Sequence, residues 1–328
     1  MNKRIATSIC ICGWLLAACS GEEREKTLLD IIEQERAEIR VFLTDQARTA
    51  ITPRAYFSKK GQVIDSTYLF NNTPPAATGL PAPGDFVLHD YSLRRLDGSY
   101  VESTDPDIQA DTFHYAVRGP LYHRIDSSKL YDYIGHAFTL IAEGTSGELI
   151  VPSMLLDKSG RTRHYSLTTH RVIRDLFTYE KALVQAYVNA LGGVANYQDG
   201  HGDTLVRTVV RVAGSGDRLI QPGDSVTFYR TCLVLRENTP LYEAFSMDTL
   251  VTASFDPARV EIPACGAAFG HLCEGDEAEI VIPYLLAFND RPGYHPADKK
   301  KTIPWIPPYS TLIYAVKVAK VREKKSLE

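Results

Sequence analysis

Nine histidines and six cysteines are the side chains of this chain best suited to metal or nucleophilic chemistry, but their spacing does not assemble a site. The histidines, scattered from His89 to His295, lack the paired spacing of a tetrahedral zinc centre. Cys232, Cys265 and Cys273 form no C-x-x-C pair and leave an odd number, so they read as small buried hydrophobes rather than a framework of bridges. No G-x-S-x-G elbow presents a serine nucleophile. Gly214-Ser215-Gly216 lacks the context of a phosphate or dinucleotide loop and reads as a turn. These residues imply neither a metal nor a cofactor.

The informative pattern occurs twice. Gly84-Asp85-Phe86-Val87 is followed by Gly144-Thr145-Ser146-Gly147-Glu148-Leu149-Ile150-Val151-Pro152. Gly223-Asp224-Ser225-Val226 is followed by Gly275-Asp276-Glu277-Ala278-Glu279-Ile280-Val281-Ile282-Pro283. A long internal repeat implies two copies of one folding unit. At 328 residues and 44% hydrophobic, the chain can bury two cores of roughly 100–150 residues each. A net charge of −4 gives no basic excess for nucleic acid, which leaves protein, peptide or small-molecule partners. Lys299-Lys300-Lys301 reads as a solvated loop and Arg322-Glu323-Lys324-Lys325 as a solvated tail.

The first residues set the expected compartment. A basic start, an apolar stretch over residues 5–16 and small residues ending in Cys19 describe a signal peptide over residues 1–18, too short for a stable span. Leu16-Ala17-Ala18-Cys19 resembles a bacterial lipobox, which makes Cys19 the expected lipidated residue and the lipid its membrane contact. Residues 19–26 are an expected polar tether.

Behind the tether, Leu28, Ile31, Ile32, Ile39 and Phe42 recur at helical spacing, with Thr27 and Asp30 placed for a capping box, and predict a helix over residues 27–45. Residues 46–72 read as irregular and residues 73–84 as a Pro- and Gly-rich loop. Strands are predicted over residues 86–93, 113–117, 148–151 and 166–173. A second helix follows, with Leu176, Tyr179, Leu183, Tyr187 and Leu191 on one face and Gly192-Gly193 as its stop. Further strands are predicted over 206–212, 225–235, 279–282 and 311–321. The fold class is α+β, because helices do not alternate regularly with strands. The expected division is 27–173 and 174–328, each a helix followed by a β-rich unit.

The second copy resembles an FKBP-type peptidyl-prolyl isomerase domain. Val206 to Gly216 resembles its first strand and turn, Gly223-Asp224-Ser225-Val226-Thr227 the second, and Glu261-Ile262-Pro263-Ala264-Cys265 the V-I-P-G-W before the central helix. Gly275 to Pro283 resembles G-E-K-x-x-x-V-I-P, and Ile306-Pro307-Pro308-Tyr309-Ser310-Thr311-Leu312 resembles I-P-P-x-x-T-L. In copy one, Gly84 to Tyr91 and Leu96 to Ser103 resemble G-D-x-V-x-V-H-Y and L-x-D-G-x-x-F-D-S. The extra leading helices are similar to those of FKBP-like lipoproteins of Bacteroidetes, including the gliding-motility type. The resemblance implies two antiparallel sheets, each wrapped around a short helix. It also implies an outer-membrane lipoprotein of the cell envelope, periplasmic or surface-facing.

The family's pocket residues carry over by position. Tyr242 and Glu243 stand for its Phe-Asp pair, Ile262 for the backbone N–H that meets the ligand carbonyl, and Cys265 for the tryptophan floor. Phe288 replaces the pocket tyrosine, and Ile306 and Tyr314 form the wall. In copy one Tyr91, Val101, Glu102 and Phe113 take pocket positions, Ile134 falls at the tryptophan and Asp157 at the tyrosine. The connection after Pro152 is much shorter than that after Pro283, so copy one reads as a structural or protein-binding unit. The implied activity is isomerisation of proline-containing polypeptides in copy two, without cofactor. The alternative is a non-catalytic FKBP-like module that binds an envelope protein.

Overall fold

The computed structural model describes residues 27–45, 51–57, 60–71, 79–108, 119–129, 132–237, 242–252 (as backbone), 255–259, 262–294, 300–301 and 304–323. Cys19, the signal and tether, Phe113 and the strand predicted over 113–117 lie outside these residues. Among the described residues no helix is long and apolar enough to cross a membrane.

The chain is α+β, with antiparallel sheets and few helices. Helix α1 (Leu28–Asp45) precedes strands β1 (Ile51–Phe57), β2 (Val63–Asn71), β3 (Phe86–Arg94), β4 (Tyr100–Ser103) and β5 (Leu121–Arg124). Helix α2 (Tyr133–Phe138), β6 (Ser146–Val151) and β7 (Arg163–Ile173) complete the first half. Helix α3 (Leu176–Ala190) leads into β8 (Ala195–His201), β9 (Thr204–Val212), β10 (Ser225–Val234) and β11 (Tyr242–Thr252). Helix α4 (Gly266–Phe269) precedes β12 (Glu277–Ile282), β13 (Gly293–Tyr294), β14 (Pro304–Ile306) and β15 (Leu312–Arg322). The first sheet runs β1-β2-β6-β7-β3-β4, with β5 also on β3, and the second runs β8-β9-β12-β15-β10-β11, the same order strand for strand.

The repeated motifs are turns with identical bonding. Gly84 (φ 97°) and Gly223 (φ 95°) occupy the left-handed region that glycine adopts without strain. Their N–H groups donate to Ile125 O (2.8 Å) and Phe255 O (2.6 Å). The next residue in each, Asp85 or Asp224, accepts from the N–H three residues before it, Ala82 at 2.7 Å and Gln221 at 2.8 Å. Gly144 N–H to Thr169 O (2.8 Å) and Gly275 N–H to Val318 O (2.9 Å) likewise match.

The irregular reading of residues 46–72 is corrected by the β1–β2 hairpin, paired from Ile51↔Phe70 to Phe57↔Val63. Pro53 and Arg54 hide the alternation in β1, and proline is tolerated there because β1 is an edge strand. Strand β8, also unread, takes the matching edge of the second sheet.

Helix α1 starts at the predicted capping box: Thr27 N–H donates to Asp30 Oδ2 (2.9 Å), and Asp30 N–H to Thr27 Oγ1 (3.2 Å). It buries Ile32, Glu35 and Ile39, whereas Leu28 is exposed. Ile39 packs with Phe70 and Ile150 on one face of the first sheet. On the other face, Val87, Leu149 and Leu167 pack against Phe138 of α2. Helix α3 buries Leu176, Glu180, Val184 and Val188. The expected Tyr179, Leu183, Tyr187 and Leu191 are half-buried beside this line and pack against the core, with the Tyr179 and Tyr187 hydroxyls donating to Glu237 (2.6 Å) and Glu279 (2.5 Å).

Candidate functional site

The inner face of the second sheet follows from the pleat. Alternate residues of β10 (Val226, Phe228, Cys232, Val234) and β15 (Leu312, Tyr314, Val316, Val318) turn to one side and cover α4. Ile262 is extended (φ −117°, ψ 100°), and Pro263 then opens a short 3-10 turn in which Cys265 N–H donates to Ile262 O at 2.9 Å. Gly266 lets this turn press against Pro257, since a Cβ there would lie 2.0 Å from the Pro257 carbonyl oxygen.

This geometry brings most of the expected site together. Ile262, Cys265, Ile306 and Tyr314 are buried in one cluster, with Phe288 and Trp305 half-buried against it. The Phe288 ring lies on the backbone of Gly293, where a Cβ would come within 2.4 Å of it, and Gly293 pairs with Ile306 in the β13–β14 hairpin. Tyr314 and Ile306 have no exposed surface. They form a floor rather than an open wall, and the ring edges nearer the surface belong to Phe288 and Trp305. Among the described residues no hydrogen bond involves the Ile262 N–H.

Tyr242 and Glu243 lie at the start of β11, opposite Val234 and Leu233, and their side chains are outside the described part. The backbone register adds a detail. Ser92↔Ser103 in the first sheet corresponds to Thr231↔Ser246 in the second. Ala244 and Phe245 therefore hold the places of Val101 and Glu102, two residues beyond Tyr242 and Glu243.

Arg230 was not legible as a site residue. It is the counterpart of Tyr91 counted from Gly223 and Gly84, it is buried, and its Cζ lies 4.9 Å from the Tyr314 ring centroid. Its place on the inward line of β10, between Phe228 and Cys232, was the available signal. A concavity between α3, the β8–β9 turn and Pro283 to Leu285 is separate, since none of the expected site residues lines it.

The inner face of the first sheet sets polar groups, His89 and Glu102, among its apolar core. Tyr91 Oη donates to buried Glu102, and Val101 and Ile134 are half-buried against the first cluster. Asp157 faces solvent, accepts from Ser159 N–H (3.0 Å) and pairs with Arg163 at 3.7 Å, so it lines no pocket floor. His89 is buried, its Nδ1 without a hydrogen-bond partner among the described residues and its ring 4.6 Å from Phe138. Burial, with His123 nearby, pulls its pKa down to about 3. Residues 152–162 join β6 to β7, whereas residues 283–311, with the β13–β14 hairpin, join β12 to β15.

Two buried glutamates, also unread, tie the leading helices to the sheets. Glu35 accepts from Ser153 N–H (2.7 Å), Ser153 Oγ (2.7 Å) and Thr162 Oγ1 (2.6 Å). Glu180 accepts from Thr311 Oγ1, the counterpart of Thr162, and from Tyr122 Oη of the first sheet. Burial raises the Glu180 pKa, opposed by Arg236. Burial, with Glu180 nearby, pushes Tyr284 up to about 12.

No protein-family model and no curated protein matches the chain. Among solved structures, it is similar to the three FKBP domains of wheat FKBP73, with 14% identity and a TM-score of 0.30 over 78% of this chain and 94% of that one. It is also similar to FkpA from Escherichia coli, with 19% identity and a TM-score of 0.32. That match covers 46% of this chain and 62% of FkpA, less than two thirds of its length.

Proposed function

We propose that this chain is a lipid-anchored FKBP-type peptidyl-prolyl cis-trans isomerase that assists folding of envelope or secreted proteins, with its activity in the second sheet. The observation that carries the reading is the gathering of Ile262, Cys265, Phe288, Ile306 and Tyr314, with Trp305, into one apolar group on the inner face of that sheet. Rotation about an X-Pro bond breaks amide resonance, against a barrier of about 18–20 kcal/mol. Lowering it needs no nucleophile. An apolar, aromatic surface holds the proline ring and strips water from the carbonyl, so the twisted amide binds better than the planar one. In this reading the Ile262 N–H donates to that carbonyl. The first sheet, with His89 and Glu102 among its inner residues and a short 152–162 connection, serves as a structural unit in this reading.

Cys19 carries the lipid, and proline-containing polypeptides are the partners. Neither a nucleic acid nor a cofactor takes part. A second reading, a non-catalytic module that binds an envelope protein, is favoured by two substitutions: Cys265 supplies no aromatic floor, and Phe288 has no hydroxyl to donate.

A protease-coupled assay on the mature chain tests the choice. Cis-to-trans exchange of an X-Pro peptide is expected to accelerate, and Phe288→Ala to reduce that acceleration about tenfold, the equivalent of about 1.4 kcal/mol of transition-state binding. Phe288→Ala is cleaner than Tyr314→Ala, which empties the core. Trp305 is the tryptophan remaining after a signal containing Trp14 is removed, and its fluorescence should shift with proline-peptide binding. A folded chain that gives the shift but no acceleration is a binding module.

A further inference from the structure

The connection between β12 and β15, which carries Phe288 and Ile306, meets the first sheet at Tyr284 and Tyr309. Tyr309 (φ 58°) and Asn289 (φ 54°) sit in the left-handed region, which strains non-glycine residues unless their surroundings hold them. Tyr309 N–H donates to Asn289 O at 2.6 Å, and Asn289 N–H to Tyr284 O at 2.9 Å. The Tyr309 ring stands edge-on to Phe86 of β3, 5.0 Å between centroids. Tyr284 packs with Leu88 and Tyr122 of the first sheet.

Beneath these rings runs a chain of buried polar groups. Arg236 lies 4.7 Å over the Tyr122 ring and donates to Pro120 O of the first half and to Ser310 Oγ, both at 2.9 Å. Ser310 Oγ donates to Pro307 O at 2.8 Å, one residue from Ile306. The two glutamates differ in a telling way. Ser153 completes Glu35 from within the first half. In the second half Tyr284 takes the place of Ser153, its N–H goes to Thr311 Oγ1 (3.2 Å), and the hydroxyl for Glu180 comes from Tyr122.

We propose that the first sheet is a positioning partner of the candidate site, with Tyr122 and Phe86 holding Tyr284 and Tyr309 in the geometry that presents Phe288 and Ile306. This rests on the isomerase reading, but its test has its own readout. Amide hydrogen exchange on the full chain should show Asn289 and Tyr309 exchanging about tenfold faster in Tyr122→Phe, the loss of roughly one hydrogen bond. Phe86→Ala should do the same, with Phe86→Leu as the milder variant if the alanine form folds poorly. Amides of α1 and β1–β2 should keep their protection. Glu35→Gln should give the reverse pattern, loosening α1 and sparing Asn289 and Tyr309. For the isomerase, kcat/KM for a proline peptide should fall by a similar factor, carried mainly by KM. Unchanged exchange at Asn289 and Tyr309, or a rise spread evenly over the chain, overturns the proposal. If exchange responds as expected but the unaltered chain does not isomerise, the clamp stands and the catalytic reading falls.

Discussion

The two sheets share one strand order and one set of turns, yet their inner faces carry different side chains at matching positions. Counted from Gly84 and Gly223, His89 corresponds to Phe228 and Tyr91 to Arg230. Both His89 and Phe228 pack on the phenylalanine of the short helix, Phe138 at 4.6 Å and Phe269 at 5.2 Å. In the first sheet Tyr91 is engaged by Glu102 and the return connection is short. In the second, Arg230 lies on Tyr314, and the long connection lays Phe288 and Ile306 over the core. The turns and ladders that set the fold are thus separable from the inward side chains that set a site.

The largest expected effect tests the glutamates. Glu180→Leu should destabilise the chain by about 3–4 kcal/mol, because it strands two hydroxyls and leaves buried Arg236 without a neighbouring carboxylate. Glu35→Leu should cost about 2–3 kcal/mol, for a stranded N–H and two hydroxyls. Urea midpoints rank the pair, and equal losses would remove the distinction drawn between the two halves.

Gly135 and Gly266 each stand three residues before the phenylalanine that ends the short helix, Phe138 or Phe269. A Cβ on Gly266 meets the Pro257 backbone at 2.0 Å, whereas on Gly135 it meets the Asp132 side chain at 2.3 Å. A side chain can swing away and a backbone carbonyl cannot. Gly266→Ala should therefore lose about 3 kcal/mol and Gly135→Ala about 1–2 kcal/mol, read from thermal unfolding.

His89→Phe copies the second sheet into the first. It should stabilise by about 1–2 kcal/mol at pH 7 by removing a buried nitrogen that has no hydrogen-bond partner among the described residues. The folded-state pKa of about 3 lies below the ordinary 6.5, so the fold favours neutral His89. Its stability is fully present above pH 6.5 and is lost as pH falls toward 3. Between pH 7 and pH 5 the loss is about 2 kcal/mol. Chemical denaturation across that range should show the slope in the natural chain and a flatter profile in the variant.

The smallest effect concerns His170 and Asp90, 2.6 Å apart and partly exposed, a pair replaced by Ala319 and Tyr229 in the second sheet. The hydrogen bond to Asp90 raises the His170 pKa. Its contribution is present below pH 6.5 and fades as pH rises through the raised value. After solvent screening it is under about 1 kcal/mol. Asp90→Asn should lower stability slightly at pH 6 and leave it unchanged at pH 9.

What the sequence by itself determined is local. Turn glycines need a left-handed backbone, capping residues bond within one turn, and strands facing a core repeat every second residue, so the doubled motif, α1 and the long strands were readable. The apolar residues proposed for the site were named from motifs whose spacing is likewise local. Tertiary structure alone decided the rest. The β1–β2 hairpin was hidden by the proline and arginine that an edge strand tolerates. The fully buried line of α3 through Glu180 was missed beside the apolar stripe, because a buried glutamate looks like a surface one until its partners are known. Glu35 meets Ser153, and Glu180 meets Tyr122 and Thr311, across long loops. No sequence period encodes such a pair, because the carboxylate tolerates burial only once the folded chain brings its donors to it.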